Sequence, residues 1–267
     1  MRHKTLQFLA ALLLSVGSGT YASAQTVYGL SSQRDGSPGI YSYELCDTGV
    51  TNKQLVQPIE LTGDDASRRY ESLAGGIYVN GKYYYVRYTQ TMSGYEADGF
   101  WVYDFDSKTT KQIKDLGSVA QGPIFGEEEY DYQTGTMYCG NSFSSAGSTL
   151  QILDPSTGNT TAVGNFTLDR YTEKAQQYPD FPDYLVALAM NYDGGMYGVS
   201  YWGGLYKVNK QTAACTLVGA LDYLPGGALQ YADAADLFFD NNTDKLYLYP
   251  DFSAKNIYIF NYLIMKW

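Results

Sequence analysis

The sequence predicts an all-β fold of repeated four-stranded antiparallel sheets, and three observations predict it. An apolar–Tyr strand pattern returns five times: VYGL at 27–30, YYYV at 83–86, MYCG at 137–140, MYGV at 196–199 and LYLY at 246–249. Anchored on Tyr28, Tyr84, Tyr138, Tyr197 and Tyr247, the intervals are 56, 54, 59 and 50 residues, the spacing of a repeat architecture. A later segment in four of the units closes on an acidic or amide residue (Asp104, Asp154, Asn209, Asn261) at intervals of 50, 55 and 52. Between these anchors the apolar runs are short and bounded by Gly, Asn and Asp turns, without helical periodicity.

Residues 1–24 stand apart from the repeats. Arg2-His3-Lys4 form a short positive stretch, residues 5–16 an apolar run too short to span a bilayer comfortably, and Ala22-Ser23-Ala24 a small-residue cleavage pattern before Gln25. This reads as a secretory signal peptide, which places residues 25–267 outside the cytoplasm as a secreted, periplasmic or cell-surface domain. No other apolar run approaches the length of a transmembrane segment.

The units follow in order. The first reads as three strands (TVYGLSS, GIYSYEL, KQLVQPIEL) and starts on a second-strand pattern. The second runs GGIYVN at 75–80, an Asn80-Gly81 hairpin turn, KYYYVRY at 82–88, FWVYDFD at 100–106 and KQIKDLG at 111–117. The third runs FGEEEYDY at 125–132, TMYCGN at 136–141, TLQILD at 149–154 and, past a Pro155–Gly158 turn, NTTAVGNF at 159–166. In the fourth, LVALAMNY at 185–192 turns at Asp193-Gly194-Gly195 into MYGVSY at 196–201, then LYKVNK at 205–210 and CTLVGAL at 215–221. The fifth has DLFFDN, KLYLYP and NIYIFN and lacks a fourth strand. The reading is eighteen strands in five whole or partial blades of a β-propeller, an incomplete ring truncated at its C-terminus. Closure explains why such a pattern repeats: blades packed face to face bury both sides of each sheet and leave few exposed edges.

The segments GGLYKVNKQTAACTLVG (203–219) and STLQILDPSTGNTTAVG (148–164) resemble the blades of secreted bacterial β-propellers of the broad WD40/YVTN/NHL-like superfamily. The resemblance covers most of residues 26–261 and implies the fold. Members of that group serve as binding modules, adhesins, scaffolds and occasional enzymes, so it implies no single activity.

Composition excludes several functions. The chain carries 18 Lys+Arg against 28 Asp+Glu; without Arg2 and Lys4 of the leader the balance is 16 against 28, a net charge of −12. No basic stripe offsets this, so nucleic acid is a poor partner. The one His, His3, leaves with the leader. Imidazole-based nucleophile systems and His-ligated metals are thereby removed, and any catalysis rests on carboxylates, Tyr, Lys or Arg. Cys46, Cys139 and Cys215 fall in three different units and read as small buried apolar residues, with a disulfide between two of them the disfavoured reading. Asp240–Asp244 lacks calcium-loop spacing and reads as a hairpin turn, so neither metal nor cofactor is expected.

The candidate site lies on the face with the longer loops: those between second and third strands and those entering each blade. The ligand-binding candidates there are Tyr95, Tyr178, Phe181, Trp202 and Tyr231, with acids interspersed. Rings stack on sugar C–H faces and carboxylates accept hydroxyl hydrogens, so this mixture suits a glycan; a protein partner is a second fit, and rings that cap the blade interfaces with acids that keep the surface soluble are a third. The function expected is a non-catalytic binding module. A carboxylate-dependent glycosidase or lyase is the alternative, with Glu127 and Asp236 as catalytic candidates because both enter first strands facing the axis. A structural or adhesive segment of a larger surface protein is the third reading.

Overall fold

The computed structural model describes residues 25–31, 37–46, 49–64, 69–91, 94–119, 127–140, 149–177, 183–220, 236–240, 244–249 and 258–260. Most of them are strand, sorted into five small sheets that follow one another along the chain. Sheet 1 contains β1 (Gln25–Ser31), β2 (Gly39–Cys46) and β3 (Gly49–Pro58). Sheet 2 contains β4 (Gly63–Asp64), β5 (Arg69–Val79), β6 (Lys82–Thr91), β7 (Gly94–Asp104) and β8 (Thr109–Val119). Sheet 3 contains β9 (Glu127–Asp131), β10 (Thr136–Gly140), β11 (Thr149–Leu153) and β12 (Thr160–Asn165).

Sheet 4 contains β13 (Thr167–Leu168), β14 (Leu185–Met190), β15 (Met196–Ser200), β16 (Gly204–Val208) and β17 (Ala214–Ala220). Sheet 5 contains β18 (Asp236–Asp240), β19 (Lys245–Tyr249) and β20 (Tyr258–Phe260). A single helical turn, α1 (Glu173–Gln176), lies between β13 and β14. Pairing is antiparallel throughout except β13 with β17, which run parallel.

The sheets form a β-propeller-like arrangement of blades. Their inner strands adjoin in the order β1, β5, β9, β14, β18; among the described residues no contact of that extent joins β18 back to β1. Each junction between neighbouring sheets is a hydrophobic cluster. Ile40 of β2 meets Leu73, Tyr83, Tyr85 and Tyr103 of sheet 2. Val79, Val86 and Phe100 of sheet 2 meet Met137, Cys139 and Leu153 of sheet 3. Tyr138 and Leu150 of sheet 3 meet Leu185, Leu188, Met196 and Tyr206 of sheet 4. Val186, Ala189, Tyr197 and Val199 of sheet 4 meet Leu237, Phe239, Leu246 and Leu248 of sheet 5.

Strand alternation divides these contacts. On β6, Tyr83 and Tyr85 pack toward sheet 1 and Val86 toward sheet 3; on β10, Met137 and Cys139 pack toward sheet 2 and Tyr138 toward sheet 4. A sheet sandwiched on both sides needs apolar residues at both parities, which is why β14 is buried at all six positions and reads as a continuous run in the sequence. The repeat tyrosines are this packing made visible: Tyr138 and Tyr197 are buried at blade junctions, and Tyr247 is buried on the face of sheet 5 away from Leu246 and Leu248, stacked on Phe238.

The acidic or amide residue after each third strand is a turn clasp. Asp104 Oδ1 accepts from Ser107 N (2.9 Å), Asp154 Oδ1 from Ser156 N (2.9 Å), and Asn209 Oδ1 from Gln211 N (2.9 Å). A short acceptor side chain that bonds the backbone two or three residues on closes the hairpin locally, so the residue type recurs with the fold. Asn261 lies outside the described residues.

Three local expectations are corrected. The 89–99 stretch is mostly ladder rather than loop, because β6 continues to Thr91 and β7 begins at Gly94, with Gln90 opposite Tyr95. The GGIYVN strand extends back to Arg69, because Gly75 and Gly76 form a bulge (φ 60° and 139°) inside β5 rather than a boundary. The two-residue strands β4 and β13 add to the eighteen read from the sequence; a pair that short has no apolar pattern to find.

Candidate functional site

The described part of the long-loop face is clearest at sheet 4, where the entry to β14 meets the turn between β15 and β16. Asp183 stands just before β14 and holds that turn with both carboxylate oxygens: Oδ2 accepts from Ser200 Oγ (2.8 Å) and Oδ1 from Trp202 N (3.1 Å). Ser200 is fully buried, and its Oγ in turn accepts from Gly204 N at 2.9 Å. Tyr206 donates its phenol hydrogen to the Arg170 carbonyl (2.8 Å), and Asp169 Oδ1 accepts from Leu217 N (2.8 Å), which ties the β13–α1 segment to the same blade. Buried Thr172 caps α1 by accepting from Ala175 N.

Burial sets the electrostatics. It pushes the Asp183 carboxyl above its ordinary value, despite hydrogen bonds from the Trp202 and Tyr184 amides and the Ser200 hydroxyl that favour the charged form. The Tyr206 phenol is raised strongly by burial and by the nearby Asp183 charge, so it stays a donor.

Three aromatic rings sit on this scaffold. Tyr184 and Tyr201 are half-buried and stacked, with centroids 5.4 Å apart and planes 20° apart; Trp202 meets Tyr201 edge-on at 5.2 Å. The Trp202 indole is only 5% exposed, so it supports the platform from within. Of the other ligand-binding candidates, Tyr178, Phe181 and Tyr231 lie outside the described residues. Tyr95 is described in its backbone alone, on the β6–β7 ladder. Glu127 and Asp236 are likewise described in their backbones alone: they open β9 and β18, opposite Gly140 and Tyr249.

The two glutamates after Glu127 have defined tasks. Glu128, buried in β9, accepts from Gly76 N of β5 at 2.9 Å, and Glu129 Oε2 accepts from Met190 N of β14 at 3.0 Å. Consecutive strand residues point to opposite faces, so this acidic pair staples sheet 3 to both neighbours. In sheet 2, Arg87 pairs with Glu71 at 2.9 Å and lies 5.3 Å from the Trp101 ring centroid. No spacing in the sequence marks that group, because its members come from three strands. Among the described residues no group of three or more His, Cys, Asp or Glu is placed to hold a metal ion, and no helix is long and apolar enough to cross a membrane.

A second aromatic group, absent from the sequence reading, lies where β5, β9 and β14 end, with Tyr28 of β1 beside it. Tyr28 stacks on Tyr78 (4.7 Å) and Tyr132 on Tyr192 (6.0 Å), with Tyr130 edge-on to Tyr132 (5.0 Å). The signal for it was Tyr132 and Tyr192 at one repeat position, each one residue past a turn-closing Asp131 or Asn191.

No family model matches the chain, and no curated protein sequence matches it. Solved structures do. TolB from Acinetobacter baumannii is similar at 13% identity over 89% of this chain and 49% of that one, with a TM-score of 0.47. A Bacteroides thetaiotaomicron protein of unknown function is similar at 14% identity over 85% and 54%, with a TM-score of 0.45. CoXyl43, a GH43 β-xylosidase/α-arabinofuranosidase from a compost metagenome, is similar at 10% identity over 88% and 86%, with a TM-score of 0.47. The chain spans about half the length of the first two.

Proposed function

We propose that this chain is an exported, non-catalytic β-propeller binding module that recognises a glycan on its long-loop face. The observation that carries the reading is the Tyr184–Tyr201 stack, half-buried and braced by Trp202 and Asp183. Rings held by a rigid blade cost little ordering on binding, and a sugar offers C–H faces to the rings and hydroxyls to acceptors. The negative balance of the chain disfavours polyanions. Export rests on the leader-like residues 1–24.

A glycan array probed with the 25–267 chain tests this. Binding to neutral oligosaccharides that weakens about tenfold in Tyr201→Ala, with the cooperative unfolding transition kept at a modestly lower melting temperature because the ring also packs on the core, is the expected result. An array without a hit, or a hit indifferent to Tyr201→Ala, overturns it. A protein partner is the outcome if the array is blank and the same variant loses capture of a surface protein. Product release that disappears in Glu127→Gln or Asp236→Asn would make the chain a carboxylate-dependent enzyme.

A further inference from the structure

We infer that the C-terminal ends of β5, β9 and β14 carry a second ligand site, a group of tyrosines that takes a neutral sugar chain. It shares its ligand class with the loop-face reading but lies at the other end of the same strands.

Six large apolar side chains are exposed among the described residues, and three of them, Tyr78, Tyr132 and Tyr192, fall in this one row at 38%, 42% and 57% exposure. Clustering is the informative point, since scattered exposed rings need no explanation. Ring contacts cross two blade junctions here: Tyr28 stacks on Tyr78 between sheets 1 and 2, and Tyr132 stacks on Tyr192 between sheets 3 and 4, with Tyr130 edge-on to Tyr132.

The turns bearing the rings are fixed to each other. Gln133 Nε2 donates to the Tyr192 carbonyl at 2.8 Å, and Lys210 Nζ reaches across from sheet 4 to Asp131 Oδ2 at 2.6 Å. Tyr132 and Tyr192 are thus held in place before a ligand arrives.

The chemistry selects the ligand. Each ring offers an apolar face and a hydroxyl, and Gln133 and Asp193 stand beside the most exposed two. An apolar protein surface would meet hydroxyls and an acid here instead of a continuous aliphatic patch. An anionic polymer meets a chain of net charge −10. A hydroxyl-rich, uncharged chain matches both parts, and a row crossing consecutive blades fits an extended polymer better than a single small molecule.

Affinity electrophoresis of the 25–267 chain through gels containing xylan, hydroxyethylcellulose or soluble starch tests the inference. At least one polymer should retard the wild type. Tyr132→Ala with Tyr192→Ala should lose that retardation about tenfold in affinity. Tyr192→Phe should keep it, and all of these variants are compared in a Tyr201→Ala background so that the loop face does not contribute. Both substituted rings are exposed, so thermal unfolding of the double variant should match the wild type. Retardation that survives the double substitution overturns the second site, as does a wild type retarded by no polymer. If an array hit is lost in Tyr201→Ala while the double variant binds normally, the loop-face reading stands and this one fails. If Tyr201→Ala changes nothing and the double variant loses binding, the reverse holds. Displacement by spermine but not by oligosaccharide would assign the row to cations and overturn the sugar assignment.

Discussion

Glu128 of β9 accepts the Gly76 amide of β5 at 2.9 Å, so a carboxylate on one blade satisfies a backbone donor that a glycine bulge exposes on the next. The neighbouring Gly75 has φ +60°, and a Cβ there would overlap the Glu128 carboxylate. Glu128→Ala should cost about 2 kcal/mol, the scale of a buried hydrogen bond to a charged group. Gly75→Ala should cost about 1–2 kcal/mol from its backbone alone, plus the overlap. Combined, the two should cost less than their sum by about 0.5 kcal/mol or more, because the second change removes the overlap caused by the first. Urea unfolding of the four proteins checks this; strict additivity would mean that the two residues do not meet.

A second blade-to-blade link is the pair Lys210–Asp131, with Asp131 fully buried and Lys210 17% exposed. Burial raises the Asp131 carboxyl, but hydrogen bonds from Lys210, Thr134 and Gln133 outweigh it and leave the group below its ordinary value. Lys210→Met should destabilise the fold by about 3 kcal/mol, since it strands a buried charge, and Asp131→Asn in that background should recover part of the loss. Thermal unfolding at neutral pH measures both.

Asp183 gives a pH signature of the opposite sign to Asp154. Raised by burial, Asp183 binds its proton more tightly folded than unfolded. Its contribution is complete below its unfolded pKa and is lost as pH rises through the folded value. Asp154, held down to about 2 by Ser156 and Thr157, contributes above its unfolded pKa and loses that contribution as pH falls through about 2. The stability difference between wild type and Asp183→Asn should therefore shift against the wild type as pH rises from acidic toward neutral. A difference independent of pH would contradict the raised carboxyl.

Cys139 and Cys215 are free thiols buried at blade junctions, and burial pushes Cys215 up to about 12 and Cys139 well above its ordinary value. Neither should react with a disulfide-exchange reagent in the native protein, and both should react on unfolding. Thiol counting with and without denaturant checks this.

The blades were legible because packing each sheet face to face against its neighbours forces a repeated pattern. Tyr138 and Tyr197 had to recur where sheets meet, and Asp104, Asp154 and Asn209 had to recur where hairpins turn. The Gly75-Gly76 bulge reads as a strand start in the sequence, because two glycines look alike whether they end a strand or kink it. Glu128 and Glu129 were seen as an acidic run entering a first strand, but their partners lie 52 and 61 residues away, and no local pattern encodes that distance. The Tyr132–Tyr192 row escaped because the short turns that carry it look plain one at a time. The Asp183–Ser200–Trp202 brace joins two loops and shows only once the blade is folded.

The most direct test of the functional account is product analysis on the oligosaccharide that the array selects. The chain should bind it reversibly, release no shorter or unsaturated product over prolonged incubation, and lose binding when Tyr201 becomes Ala. Steady product release abolished by Glu127→Gln or Asp236→Asn would contradict a binding module and replace it with a hydrolase or lyase.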